Sequence, residues 1–138
     1  MPLDNTDFLN QFENLTLDSA EFDHRGHLKL ACLYLNSMKL DEAHARISFG
    51  IKRYAKSLGA TDKFHSTITY AFARLVAAGM PDSDNFEEFL ARNPELLNQP
   101  MTLVHKHYST DLLEDPASKT KVFEADINPL PKPNAKAV

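Results

Sequence analysis

The residues best suited to chemistry are three histidines carried by two short motifs. The stretch FDHRGHLKL, residues 22–30, places His24 and His27 three residues apart, and KFHSTIT, residues 63–69, contributes His65. A neutral imidazole can ligate a transition metal, form hydrogen bonds or transfer a proton near neutral pH. These three side chains are therefore the candidate functional site.

Both motifs fall within helical apolar patterns, so the helical wheel predicts where the rings face. At 100° per residue, His24 and His27 share the apolar side of Leu28, and His65 shares that of Ile68. Each imidazole that is buried without a hydrogen-bond partner costs about 1–3 kcal/mol. The three rings therefore need partners inside the protein.

A divalent transition metal is one partner that all three rings can share. His24 and His27 can reach one ion from a single helix, and His65 completes a three-ligand set that leaves a position open for water or substrate. Neutral imidazoles are compatible with zinc, iron, nickel or copper. Gly26 removes a side chain between the first two ligands, so another group can approach closely.

Two other interpretations remain open for the same residues. The histidines can form a metal-free acid/base or ligand-binding pocket, or they can be structural residues that hydrogen-bond within the core. Thr69 and Tyr108 carry hydroxyl groups that could partner the imidazoles, and both are candidate catalytic residues. Asp23 is expected to cap its helix, with a carboxylate that orients an imidazole as the alternative.

The remaining histidines are weaker candidates. His44 and His107 fit surface or packing roles, and His105 is left undecided between the pocket and the surface. His105 and His107 are two residues apart, so on a helix they diverge and at most one points inward.

The elements that must position these residues are helices. We predict an all-α, single-domain bundle of five to six helices over residues 1–126, with a Pro-rich, extended or disordered tail at 127–138. The helices are expected at 7–15, from 19 or 23 to 38, at 41–58 with Gly59 as a stop, from a cap at Thr61 or Asp62 to 78, and from a cap at Ser83 or Asp84 to 93. Shorter pieces are expected at 94–97, 100–108 and, beginning after Ser109 and interrupted at 115–116, on to 123.

The composition excludes several classes of protein. The 138 residues are 43% hydrophobic and 25% charged, and the net charge of −4 with no basic run argues against nucleic-acid binding. No apolar run approaches the ~20 residues of a membrane span, and a single cysteine, Cys32, favours a reducing compartment. These features predict a cytoplasmic protein whose partner is a small molecule, and they are compatible with a homodimer.

The two motifs, together with the HYS of residues 107–109, resemble a group of small bacterial all-helical proteins. The pattern of that group is Phe-x-His-x-x-His-Leu, then Tyr/Phe-His-x-Thr-Ile-Thr, then an aromatic-Tyr-Ser segment, and the match covers roughly residues 22–126. The chain departs from the pattern at Gly26, where an acidic residue is common, and at His107, where an aromatic is common. The group has no assigned activity, so the resemblance supports the site and not a reaction.

The leading functional hypothesis is a small enzyme that uses a divalent metal held by His24, His27 and His65 to act on a small molecule. The alternative is a non-enzymatic ligand-binding or adaptor module in which the histidines are structural.

Overall fold

The computed structural model describes residues 4–79 and 85–133, and within them the chain is helical without strands, as the periodicity predicts. Five helices of seven or more residues are followed there by four short ones. The helices are α1 (Asn5–Glu13), α2 (His24–Ser37), α3 (Leu40–Ser57), α4 (Ser66–Gly79), α5 (Phe86–Arg92), α6 (Pro94–Asn98), α7 (Pro100–His105), α8 (Thr110–Glu114) and α9 (Pro116–Thr120), with single 3-10 turns at Ser19–Glu21 and Thr61–Lys63.

Local capping explains where several of these helices begin and end. Asp23 caps α2 by accepting a 2.9 Å hydrogen bond from the Gly26 amide, which confirms the capping role, and Ser109 caps α8 as predicted. Gly59 follows α3 in the left-handed region, with φ of 71°, and it stops the helix as expected. The cap of α5 is Asn85 rather than Ser83 or Asp84, which lie outside the described residues.

The start of α4 differs from the prediction. Residues 61–63 form a separate 3-10 turn, and α4 begins only at Ser66. The predicted caps, Thr61 and Asp62, therefore lie within this turn and not at the start of α4. His65 itself accepts a 3.2 Å hydrogen bond from the Ile68 amide through Nδ1, so an imidazole occupies the position that Ser, Thr, Asp or Asn usually takes.

The main core lies where α2, α3 and α4 pack against one another. Helix α2 is buried on more than one side, because Leu30, Cys32 and Tyr34 are covered as well as the predicted stripe. No helix within the described ranges is both long and apolar enough to cross a membrane. The fully buried large side chains of this core are Phe8, Phe12, Phe89, Leu28, Leu30, Leu35 and Val76.

The chain beyond α9 is not helical, but much of it contacts the helices. The Ile127 amide donates to the His107 carbonyl at 2.9 Å, and Leu130 packs against a second apolar cluster around Tyr108 and Val104. The segment is irregular rather than helical, and the hydrogen bonds and packing place residues 127–130 on the helical body. The rest of the predicted tail, 134–138, lies outside the described residues.

Candidate functional site

A cavity of about 390 Å³ lies between the start of α2, the middle of α3 and the segment that leads into α4. His24, His27, His65 and Thr69 all line it, so the structure brings together four of the five candidate residues. The remaining walls are mostly apolar, and the exposed Asp23 and Lys63 are its charged lining residues. The apolar lining is formed by Phe22, Leu28, Ala31, Ile47, Ile51, Phe64, Ile68, Phe72 and Ala73.

Two of the imidazoles are held by backbone carbonyls that fix their tautomers. His24 Nε2 lies 2.7 Å from the Leu96 carbonyl oxygen, and His27 Nδ1 lies 2.8 Å from that of Asp23. A carbonyl oxygen only accepts, so each of these nitrogens carries its proton. His24 Nδ1 and His27 Nε2 form no hydrogen bond to any residue that the structure describes. When the rings are neutral, both nitrogens are therefore free acceptors.

The third imidazole is occupied at both nitrogens. His65 Nε2 donates to the Leu113 carbonyl at 2.9 Å, while Nδ1 accepts from the Ile68 amide. His65 thus joins the start of α4 to the end of α8. It lines the cavity as a structural residue, and it has no free lone pair for a ligand in this arrangement.

Burial keeps His27 neutral. The pKa of His27 is lowered, chiefly because burial disfavours the imidazolium and secondarily because His24 is near, while the hydrogen bond to the Asp23 carbonyl acts in the opposite direction. The ring also stacks on Phe22 with 4.1 Å between ring centroids. His27 is therefore positioned to accept a hydrogen bond at neutral pH rather than to carry a charge.

The predicted metal ligands His24, His27 and His65 line one cavity. Within residues 4–79 and 85–133, no group of three or more His, Cys, Asp or Glu side chains is placed to hold a metal ion. Of the three rings, His65 has both nitrogens in hydrogen bonds with backbone groups, those of Ile68 and Leu113.

Gly26 permits a close approach, as predicted, but the approaching group is the backbone of the same chain. A Cβ atom at this position would lie 2.3 Å from the Glu21 carbonyl oxygen. The glycine therefore lets the 3-10 turn at Ser19–Glu21 pack against the first turn of α2.

Tyr108 lies elsewhere in the molecule. It is fully buried, does not line the histidine cavity, and donates a 2.8 Å hydrogen bond from its hydroxyl to the Phe123 carbonyl. Burial is the main reason that the pKa of Tyr108 is raised to about 12. This placement does not support the predicted role of Tyr108 as a hydrogen-bond partner of the cavity histidines.

The other histidines also lie outside the cavity. His105 Nδ1 lies 3.1 Å from the Tyr108 carbonyl oxygen, and His107 Nδ1 lies 3.1 Å from the Asn128 carbonyl oxygen. His44 lies 3.2 Å from the Ser48 hydroxyl, and its ring meets Tyr70 edge-on. These contacts fit the packing roles expected of His44 and His107, and they leave His105 outside the pocket.

Thr67 has a role that the sequence does not indicate, because the helical wheel places it on the face of the fourth helix opposite His65. Thr67 is fully buried: its hydroxyl donates towards the Ser118 carbonyl at 2.7 Å and accepts from the Phe123 amide at 3.1 Å. The helical wheel places Thr67 on a polar face of α4, and the packing of α9 against α4 buries that face. The sequence neighbours of Thr67, Ser66 and Ile68, carry no signal of this burial.

Fold and site together define the class of protein: an all-α domain with a largely apolar cavity into which two sequence motifs contribute three imidazoles. No family model, curated protein or solved structure matches the chain. The residues of the cavity are therefore the basis for any functional inference.

Proposed function

We propose that the protein binds a small, largely apolar molecule in the histidine cavity, and that His24 and His27 accept hydrogen bonds from a donor group on that molecule. The observation that carries the proposal is a pair of acceptors, His24 Nδ1 and His27 Nε2, that bond to no described residue and belong to rings lining one apolar cavity. Small-molecule sites are typically concave and apolar, with a few polar groups that fix orientation.

The fixed tautomers restrict the ligand chemistry. Two neutral imidazole acceptors favour a hydroxyl, an amine or a ring N–H and disfavour a carboxylate, which would meet two lone pairs. Thr69 adds a hydroxyl that forms no hydrogen bond within the described residues and can serve as donor or acceptor. The ligand class is therefore a compact hydrocarbon skeleton that bears at least one hydrogen-bond donor.

A panel of bicyclic probes in matched pairs tests the proposal. Indole carries a ring N–H, and benzothiophene has nearly the same shape without it. We expect indole to perturb the amide resonances of the cavity residues in a saturable way and to bind about tenfold more tightly than benzothiophene. In His27→Phe, which keeps an aromatic ring on Phe22, this preference for indole should fall several-fold, because one of the two acceptors is lost.

His105→Gln is the matched control, because His105 is exposed and lies outside the cavity. It should bind both probes as the unaltered protein does. Equal affinity for the two probes, or saturable shifts that map outside the cavity, would contradict the proposed hydrogen bonds. An absence of any saturable shift with either probe at millimolar concentration would overturn the binding function itself.

The second candidate function is the metal-dependent enzyme. The observation that favours it is the same pair of nitrogens, His24 Nδ1 and His27 Nε2, on rings that are three residues apart and line one cavity. Elemental analysis of protein purified without a histidine tag decides between the two. Near-stoichiometric transition metal that is lost in His27→Phe would replace the metal-free proposal, and metal at trace level would support it.

A further inference from the structure

A second cavity, of about 410 Å³, lies between α4 and the extended segment that follows α9. Aromatic and aliphatic side chains form much of its wall, among them Tyr70, Tyr108 and Phe123. Arg74 and Glu124 are the charged residues among the described residues that line it. The histidines of the first cavity do not contribute to it.

Every hydrogen bond of the Arg74 guanidinium is to a neutral group. Nη1 donates to the Tyr70 hydroxyl at 2.8 Å, and Nη2 donates to the carbonyls of Pro131 at 3.0 Å and Leu130 at 3.4 Å. Nε is buried and has no acceptor among residues 4–79 and 85–133. The guanidinium carbon also lies 5.6 Å from the centre of the Tyr70 ring.

The positive charge of this group is therefore not balanced by the part of the chain that the structure describes. No carboxylate there lies within ion-pair distance of Arg74. Arginine stays protonated in proteins, and charges that are removed from water are usually paired. Glu124 reaches the same cavity but is exposed and makes no ion pair with Arg74.

Two tyrosine hydroxyls, those of Tyr70 and Tyr108, lie on this cavity, and their hydrogen bonds decide which of them can donate to an anion. The Tyr70 hydroxyl accepts from Arg74, and its own hydrogen is not donated to any described residue. The Tyr108 hydroxyl donates its hydrogen bond to the Phe123 carbonyl oxygen. Tyr70 can therefore donate to a ligand beside the guanidinium, and the aromatic rings can cover a hydrocarbon part.

We propose that this second cavity binds a small carboxylate with an aromatic or aliphatic body, whose oxygens accept hydrogen bonds from the Arg74 guanidinium and the Tyr70 hydroxyl. Guanidinium groups are well suited to carboxylates because they combine a permanent positive charge with N–H donors, and one Nη1 hydrogen of Arg74 is not donated to any described residue. The proposal does not depend on a ligand in the histidine cavity.

Titration of the full-length protein with benzoate and with benzamide, its neutral analogue, tests the second cavity by NMR. We expect benzoate to give saturable shifts at Phe123 and Ala125 and to bind about tenfold more tightly than benzamide. Arg74→Gln should remove that preference. Because Arg74 also holds the carbonyls of Leu130 and Pro131, Arg74→Lys provides a second variant that keeps the charge but loses the Nη1 donor beside Tyr70, and it should weaken benzoate binding several-fold.

Glu124→Gln tests whether the counter-charge of Arg74 comes from an external carboxylate or from the Glu124 side chain. If the site takes an external carboxylate, removing the Glu124 charge should tighten benzoate binding and leave the melting temperature nearly unchanged. The proposal is overturned if benzoate binds no better than benzamide, if its shifts persist in Arg74→Gln, or if Glu124→Gln lowers the melting temperature without affecting benzoate. That last result would identify Glu124 as the counter-ion of Arg74 in solution.

Discussion

Each of the three imidazoles at the first cavity reaches a backbone carbonyl, and this is how the interior tolerates them. His24 is joined to Leu96 and His65 to Leu113, which lie 72 and 48 residues away along the chain. The sequence correctly predicts that the rings face inward, because that follows from the period of one helix. It does not predict their partners, because a carbonyl belongs to every residue and carries no sequence signal.

His65 is predicted to contribute to stability through both of its nitrogens. Substitution by alanine removes the cap of α4 and leaves the Leu113 carbonyl without the imidazole proton. We expect His65→Ala to lower the free energy of unfolding by about 2–4 kcal/mol, as the sum of a lost cap and a lost buried hydrogen bond. Urea denaturation followed by circular dichroism measures the change.

His65→Asn is the matched control for the two contacts of His65. Asparagine is a good capping residue but is too short to replace the bond to Leu113. This variant should therefore recover about 1 kcal/mol of the loss. If asparagine and alanine are equally destabilising, then the Nδ1 contact with the Ile68 amide contributes little to stability.

At the scale of the element, the junction between the 3-10 turn and α2 depends on the missing side chain of Gly26. Alanine is favoured over glycine inside a helix by about 1 kcal/mol, so an isolated helix would gain from the change. Here the new Cβ would lie 2.3 Å from the Glu21 carbonyl oxygen, which is backbone and cannot simply rotate away. We expect Gly26→Ala to destabilise the protein by about 1–3 kcal/mol.

The shift of the turn in Gly26→Ala should also be visible in its amide spectrum. Chemical-shift changes are expected to concentrate at residues 19–22, since the turn must move to admit the methyl group. A variant that is more stable than the original protein, with shifts confined to residue 26, would show that the turn is not packed against this glycine.

The elements themselves could be predicted to different degrees. Helices α2 and α3 follow from their apolar period and from Asp23 and Gly59, which are ordinary cap and stop residues. The start of α4 could not be found in the same way, because its cap is the imidazole of His65 and Thr61 offered a more usual cap nearby. Thr67 could not be placed, because its burial depends on α9, about fifty residues away.

At the scale of the whole molecule, α4 separates two kinds of site. One side of it helps to form the histidine cavity, and Tyr70 and Arg74 face the segment that returns after α9. The short helices after α5 supply the carbonyls of Leu96 and Leu113 that hold His24 and His65. The late part of the chain therefore positions residues that the two early motifs contribute.

Stability is predicted to fall as the solution is acidified from pH 7.5 to 5.5. Burial lowers the pKa of both His27 and His44 in the folded protein. The unfolded chain takes up protons near the ordinary histidine pKa of about 6.5, while the folded chain resists until a lower pH. The contribution of both residues is thus complete above about pH 6.5 and is lost as the pH falls towards their folded values. Urea midpoints across this range measure the effect.

The double variant His27→Gln/His44→Gln assigns the slope to these two residues. Most carboxylates stay ionised above pH 5.5, so they add little to the slope in this window. Since the folded state of the unaltered protein binds fewer protons than the unfolded state, removing both groups should flatten the dependence of unfolding free energy on pH. A slope unchanged in the double variant would mean that neither ring is protected from protonation by folding. The neutral acceptor that we assign to His27 in the cavity would then have to be abandoned as well.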